Sequence, residues 1–331
     1  MHNILRIGTG YWASRALMSA IELDVFTHLG SGAQDFSSLT EDLGLHPRGA
    51  RDFLDALVAL GLLTRDGDRY ANARESRVFL DRTKPLFVGG SFAMAVPRLW
   101  PAWARLTDAL RTGRPQFPGA SESGDVFEGL YADPDLRDRF LQSMTGASTV
   151  TARQLGRAFP WRDHRTFVDL GPGQGVVPVQ LARAHPHLRG TGFDLPAVRG
   201  PFESYVAEQG LAERLRFCSG DFFADPLPTA DVLIMGHVLH DWDLDQKKDL
   251  IGRAYAALAE GGCLLVYEAL IDDERQHSAL GLLMSLNMLV DTHGGFNFTA
   301  ADCVSWIAEA GFSSWRVEPL VPPDSLVVAV K

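Results

Sequence analysis

Cysteine is scarce in this chain. Cys218, Cys263 and Cys303 stand alone, at spacings that suit neither a disulfide framework nor a zinc module. No apolar run reaches the ~18 residues of a membrane helix, and the opening residues lack the apolar core and cleavage site of a signal peptide. A basic surface is also missing. The formal net charge is −10, with Lys and Arg scattered, which argues against a protein that depends on phosphate neutralisation. Low-complexity segments and fixed-period repeats are absent too. What remains, 46% hydrophobic and 22% charged residues over 331 positions, is the composition of a soluble globular protein of two domains. The expected compartment is the cytoplasm, and neither nucleic acid nor membrane is an expected partner.

The first third reads as helices. Ala16, Leu17, Ala20, Ile21 and Phe26 recur at helical spacing. Ser38 with Glu41 suggests a capping box, Pro47 opens a second helix, and Asp66-Gly67 suggests a tight hairpin. Helix, turn, helix, hairpin is the layout of a winged helix. Its candidate recognition helix offers only Arg48 and Arg51, beside Asp52 and Asp55, so packing or dimerisation is favoured over DNA binding. Residues 85–160 read as helical and aromatic, with Phe92, Trp100, Trp103, Phe127, Tyr131 and Phe140.

From 165 onward strands alternate with helices: TFVDLG (166–171), LRGTGFDL (188–195), LRFCSGD (215–221), DVLIMGHVL (231–239) and CLLVYEAL (263–270). Alternation of this kind predicts a doubly wound α/β domain. A helix opened by Thr299 and two successive strands, SSWRVEPLV and SLVVAVK, predict an antiparallel pair at one edge. The domains expected are 1–155, helical and winged-helix-like, and 156–331, Rossmann-like.

The first of these strands, bearing Asp169, ends in VDLGPGQG (168–175), where glycines let the backbone approach a ligand. The dinucleotide spacing is not met, because Val176 stands where a third glycine is required. Asp194 ends the second strand and is placed to accept ribose hydroxyls; Asp221, with Phe222, ends the third and would hold an adenine. Next comes GHVLHDWDLDQ (236–246). A calcium loop is excluded, since Gln246 and Gly252 stand at the sixth and twelfth positions. Asp243 or Asp245 would cap the following helix, and His240 with Asp241 and a distant His293 leaves a transition-metal site open. His240 itself is expected at the carboxyl end of its strand, where open α/β sheets place chemistry.

In their order and spacing, VDLGPGQG, GFDLP, GDFF, HVLHDWD and LLVYEAL resemble the class I S-adenosylmethionine-dependent methyltransferases. The chain is most similar to small-molecule O-methyltransferases of the plant caffeate and bacterial polyketide-tailoring type, over nearly its whole length. That resemblance implies an N-terminal winged-helix dimerisation domain, a homodimer, and methyl transfer from S-adenosylmethionine to a hydroxyl of a small, aromatic acceptor. It implies that Gly171 and Gly173 line the methionine end, that Asp194 takes the ribose with Leu195 beside it, and that Asp221 and Phe222 hold the adenine. Gly236 departs from the lysine common in the plant enzymes. His240 would be the general base, a neutral imidazole with a pKa near 6.5, with Glu268 its partner. GGFNFT puts Asn297 where the family carries a second glutamate, as a polar contact, and admits C- or N-methylation, with or without a metal, as alternatives. Phe140, Met144 and Met288 fall where the acceptor would lie.

Overall fold

The computed structural model describes residues 1–117 and 126–331, so residues 118–125 of the expected helical region lie outside the described residues. It divides into two compact units, Met1–Pro97 and Arg98–Lys331.

In the first unit, β1 (Gln34–Asp35), β2 (Leu63–Asp66) and β3 (Arg69–Asn72) form a small antiparallel sheet in the order β1-β3-β2. Helices Phe36–Asp42 and Pro47–Ala59 precede the hairpin. The helix-turn-helix-hairpin expectation is met, with one change at its start: Asp35, not Ser38, caps the first helix by accepting from Ser38 N. Leu39, Leu54, Leu57 and Tyr70 close the core. Arg51 is committed internally, stacked 3.6 Å over Phe36 and paired with Asp68, while Arg65 pairs with Asp55. Of the two arginines of the would-be recognition helix, Arg51 is thus engaged within its own unit.

The second unit is built on a seven-stranded sheet: β4 (Thr166–Leu170), β5 (Arg189–Asp194), β6 (Leu215–Ser219), β7 (Ala230–Gly236), β8 (Leu258–Glu268), β9 (Ser314–Val321) and β10 (Asp324–Val330). Their order is β6-β5-β4-β7-β8-β10-β9, parallel as far as β8 and antiparallel for the last pair. Period-two alternation supplies both faces: Phe167, Val232, Ile234 and Leu265 pack on one, Val168, Leu170, Leu233 and Met235 on the other. The Rossmann-like sheet with an antiparallel tail is as expected.

Three boundaries differ from the sequence reading by more than two residues. Helix Pro134–Ala158 packs Ala152 and Leu155 into the core of the seven-stranded sheet, so the division falls at 97/98 rather than 155/156. β8 begins at Leu258, ahead of Cys263, where the sequence reading starts the strand. β7 ends at Gly236 instead of Leu239, because His237 adopts a left-handed φ of 54° and turns the chain off the sheet. His240 therefore sits on a single 3-10 turn, Leu239–Asp241, just beyond the strand.

Candidate active site

The carboxyl ends of β4, β5, β7 and β8 converge on two neighbouring sets of groups. In the first, Gly171 (φ 71°) and Gly173 (φ 55°) bend the chain after β4 in conformations that disfavour side chains. Asp194 closes this cradle from β5, accepting from Leu195 N at 2.8 Å and Gly173 N at 3.4 Å. Asp169 and Asp194 are both buried, and neither forms an ion pair among the described residues. Burial pushes Asp194 up to about 7. Burial, then the repulsion of Asp194, drives Asp169 well above the ordinary carboxylate range. A pair of buried carboxylates without an ion-pair partner among the described residues, beside a glycine-rich loop, fits a ligand that brings hydroxyl and ammonium donors, as the ribose and methionine ends of S-adenosylmethionine do. Asp221 follows β6 and is exposed, its carboxylate capping Phe223 N at 2.9 Å; Phe222 is half-buried, 6.2 Å from Phe193.

Gly236 has a local reason. A Cβ there would lie 2.1 Å from the hydroxyl of Tyr267, so the phenol of β8 fills the space above β7. Beside it, His237 Nε2 meets Asp324 Oδ1 at 2.9 Å.

The second set is centred on His240. Its Nδ1 lies 2.6 Å from Glu268 Oε2, and its backbone N–H donates to Glu268 Oε1 at 3.3 Å. A carboxylate only accepts, so Nδ1 carries hydrogen and Nε2 is the nitrogen left for proton exchange. Nε2 has Asp241 Oδ1 at 3.4 Å. The Glu268 side chain is 1% exposed and that of His240 14%, so the carboxylate is shielded while the imidazole can be reached. Burial would lower the histidine's pKa, but Glu268 and Asp241 outweigh it and raise it to about 9. The neutral imidazole near 6.5 expected from the sequence is thus replaced by a stronger base. Glu268 is pushed up by burial and down further by the imidazolium, with a net lowering; burial brings Asp241 to about 6.

Asn297 joins neither His240 nor Glu268 by a hydrogen bond among the described residues. Its amide donates to Ala269 O at 3.1 Å, tying down the chain just after Glu268, and its Oδ1 is buried without a partner. Phe298 packs into the core against Trp306. Of the residues expected from the sequence to lie at the acceptor, Phe140 and Met144 are half-buried on helix Pro134–Ala158, and Met288 is buried on helix Ala279–Asp291. Phe140 clusters with Phe127 and Tyr131, and Phe127 reaches Trp242 at 6.1 Å. Among the described residues no group of three or more His, Cys, Asp or Glu side chains is arranged to hold a metal ion.

Sequence reasoning passed over His237, Lys247, Tyr267 and Asp324. The first histidine of GHVLHDW and a lysine on the buried face of the next helix were the available signals for two of these.

Comparison with known proteins gives concordant matches. Residues 103–313 match the O-methyltransferase domain family, and residues 5–82 the O-methyltransferase dimerisation domain. The tetracenomycin polyketide synthesis 8-O-methyl transferase TcmO of Streptomyces glaucescens is 47% identical over 99% of this chain and 96% of its own length. The N,N-dimethyltransferase OxyT of Streptomyces rimosus is 35% identical, with 99% and 96% covered. Human N-acetylserotonin methyltransferase, solved in complex with S-adenosylmethionine, superposes with a TM-score of 0.91 at 30% identity, covering 100% of this chain and 97% of that one.

Proposed function

This chain belongs to the S-adenosylmethionine-dependent O-methyltransferase family and carries that family's dimerisation domain, and on that premise we propose that it methylates a phenolic hydroxyl of a flat aromatic acceptor with His240 as general base. The observation that carries this reading is the His240–Glu268 pair, with its carboxylate buried and its imidazole open, beside the glycine cradle.

Bound S-adenosylmethionine supplies a methyl group activated by its sulfonium. Asp194 would accept the ribose hydroxyls with Leu195 alongside, Asp221 and Phe222 would flank the adenine, and Asp169, Gly171 and Gly173 would face the methionine end. Tyr267 occupies the space that Gly236 leaves. Phe140, Met144 and Met288 would grip the acceptor, a role suited to adaptable apolar side chains. A phenol has a pKa of about 10, so it holds its proton at neutral pH. Transfer of that proton to Nε2 frees the oxygen to attack, and a base raised to about 9 is closely matched to it. Glu268 keeps Nδ1 protonated and stabilises the imidazolium, while Asn297 holds the chain beyond Glu268.

The similarity to TcmO supports a fused-ring polyketide as the acceptor. The similarity to OxyT supports an amine as the second reading. Exposed Ile4, Ile7, Tyr11 and Trp12 in the dimerisation region support a homodimer. Three free thiols, Cys218, Cys263 and Cys303, suit a reducing cytoplasm.

The test combines calorimetric titration with S-adenosylhomocysteine and a methyl-transfer assay over polycyclic phenols and amines. Phenols should be methylated and amines not. In His240→Ala, turnover should fall ~10²–10⁴-fold while affinity for S-adenosylhomocysteine stays within about twofold. A loss of affinity as large as the loss of rate would make His240 a structural residue and sink the base assignment.

A further inference from the structure

Lysine is rare here: the chain's lysines are Lys84, Lys247, Lys248 and Lys331. Lys247 is the exceptional one, because it is 0% exposed. A lysine is almost never fully buried unless a carboxylate pairs with it, yet no carboxylate lies within ion-pair distance of Lys247 among the described residues. Its Nζ donates instead to the backbone carbonyl of Trp242, the residue that closes the turn bearing His240. The ammonium also lies 3.4 Å from the centre of the Phe296 ring and 5.8 Å from that of Phe298. An ammonium in such a place costs stability. Methionine or leucine would pack there more cheaply.

Its charge bears on the dyad. Glu268 of β8, Asp241 of the turn and Asp243 at the helix start all act on Lys247, and Lys247 in turn acts on His240. The other charged or titratable groups around the turn are His237 with Asp324 of β10, Asp291 with Arg98, and His293 on the loop that packs against it. Two carboxylates, Glu268 and Asp241, would otherwise confront one imidazolium with an excess negative charge and hold its proton too tightly.

We propose that Lys247 is a positioning residue of the methyl transfer: its buried ammonium, anchored on the Trp242 carbonyl, offsets the second carboxylate and lets His240 release its proton between turnovers. Resting on His240 as base, this adds a group outside the reacting atoms that sets the strength of that base. Burial pulls Lys247 down to about 8, so its charge is present at neutral pH and mostly gone near pH 9, where His240 titrates; its effect falls on the neutral-pH part of the acid limb.

The test is the pH profile of kcat in Lys247→Met and Lys247→Gln, with S-adenosylhomocysteine affinity and dimer content measured alongside. Removing the cation should raise the proton affinity of His240. The neutral-pH part of the acid limb should be displaced to higher pH, so that kcat at pH 7, where Lys247 is charged, falls about tenfold relative to pH 10, as expected for a neighbouring charge worth about one pKa unit. Lys247→Gln can keep a hydrogen bond to Trp242 O without the charge, and should show the same displacement. It also serves should Lys247→Met not fold. Variants that bind S-adenosylhomocysteine normally and keep the wild-type limb would overturn the proposal. So would a limb displaced in Met but not in Gln, since anchoring alone would then explain the lysine. A wild-type profile whose acid limb does not depend on His240 would overturn this proposal and the base assignment together.

Discussion

Burial by itself would make His240 a weak base and Glu268 a reluctant anion; at 2.6 Å each reverses the other's penalty. The sign of the pH dependence follows. As the proposed base His240 would have to be neutral, its pKa is raised to about 9, and so kcat/KM of the free enzyme should climb from neutral pH and level off only above that value. Replacing Glu268 by glutamine removes the larger of the two carboxylate effects on His240. The acid limb should then move to lower pH, while the plateau drops ~10²-fold or more because Nδ1 is no longer held by an anion. A limb that stays in place would show that the two groups do not titrate as a pair. Asp194 carries a second pH prediction. Its folded-state pKa, about 7 against the ordinary 3.8, means that its contribution favours the fold at low pH and is lost as pH rises through 7. A nucleoside that donates two hydroxyls prefers the carboxylate, so S-adenosylhomocysteine should bind more tightly at pH 8 than at pH 6 and release a proton, measurable by calorimetry in buffers of different ionisation heat. Pairs of this kind were legible only as residue types. The aspartates and the histidine stood out by position, whereas a pKa depends on neighbours that the chain brings from far away, as Glu268 is brought from 28 residues beyond His240 and Arg98 from 193 residues before Asp291.

At the level of elements, the site is a short turn clamped from three sides. Asp243 and Gln246 form the capping box that starts the helix after the turn. Glu268 binds the turn from β8, and the loop at 294–295 presses on it from outside. A Cβ on Gly295 would fall 2.6 Å from His240 O and 2.8 Å from Asp241 O, and both are backbone atoms that cannot swing aside. Gly295→Ala should therefore displace the turn. The expected result is a stability loss of ~1–3 kcal/mol and a kcat decrease larger than any change in cofactor affinity, followed by thermal melts and single-turnover rates. Unchanged kcat would mean that the loop, not the turn, yields. Asp243 as a helix cap and Thr299 as another were readable from local spacing, because a cap needs only the next three residues. The end of β7 was not. GHVL has ordinary strand character, and the departure at His237 is held by Asp324 from a strand that forms last in the sequence.

For the whole molecule, helix His2–Gly8 buries none of its residues within its own chain, and Ile4 is 74% and Trp12 62% exposed. Together with the dimerisation domain, this leads us to expect a dimer by sedimentation, and Trp12→Asp should shift the equilibrium towards monomer with the second unit still folded. A variant that remains fully dimeric would move the interface elsewhere. Periodicity, turn chemistry and an ordered set of motifs determined the winged-helix layout, the parallel sheet with its antiparallel tail, the methyltransferase family, and the choice of Asp194, His240 and Glu268 for attention. These are patterns with a reach of a few residues, repeated along the chain. Tertiary structure alone decided that helix Pro134–Ala158 belongs with the sheet, that Tyr267 fills the space over Gly236, that Asn297 ties a loop, and that a lysine lies buried beneath the base. Each of these depends on which surfaces meet across the sheet and on the dielectric they enclose, and neither quantity is local in sequence.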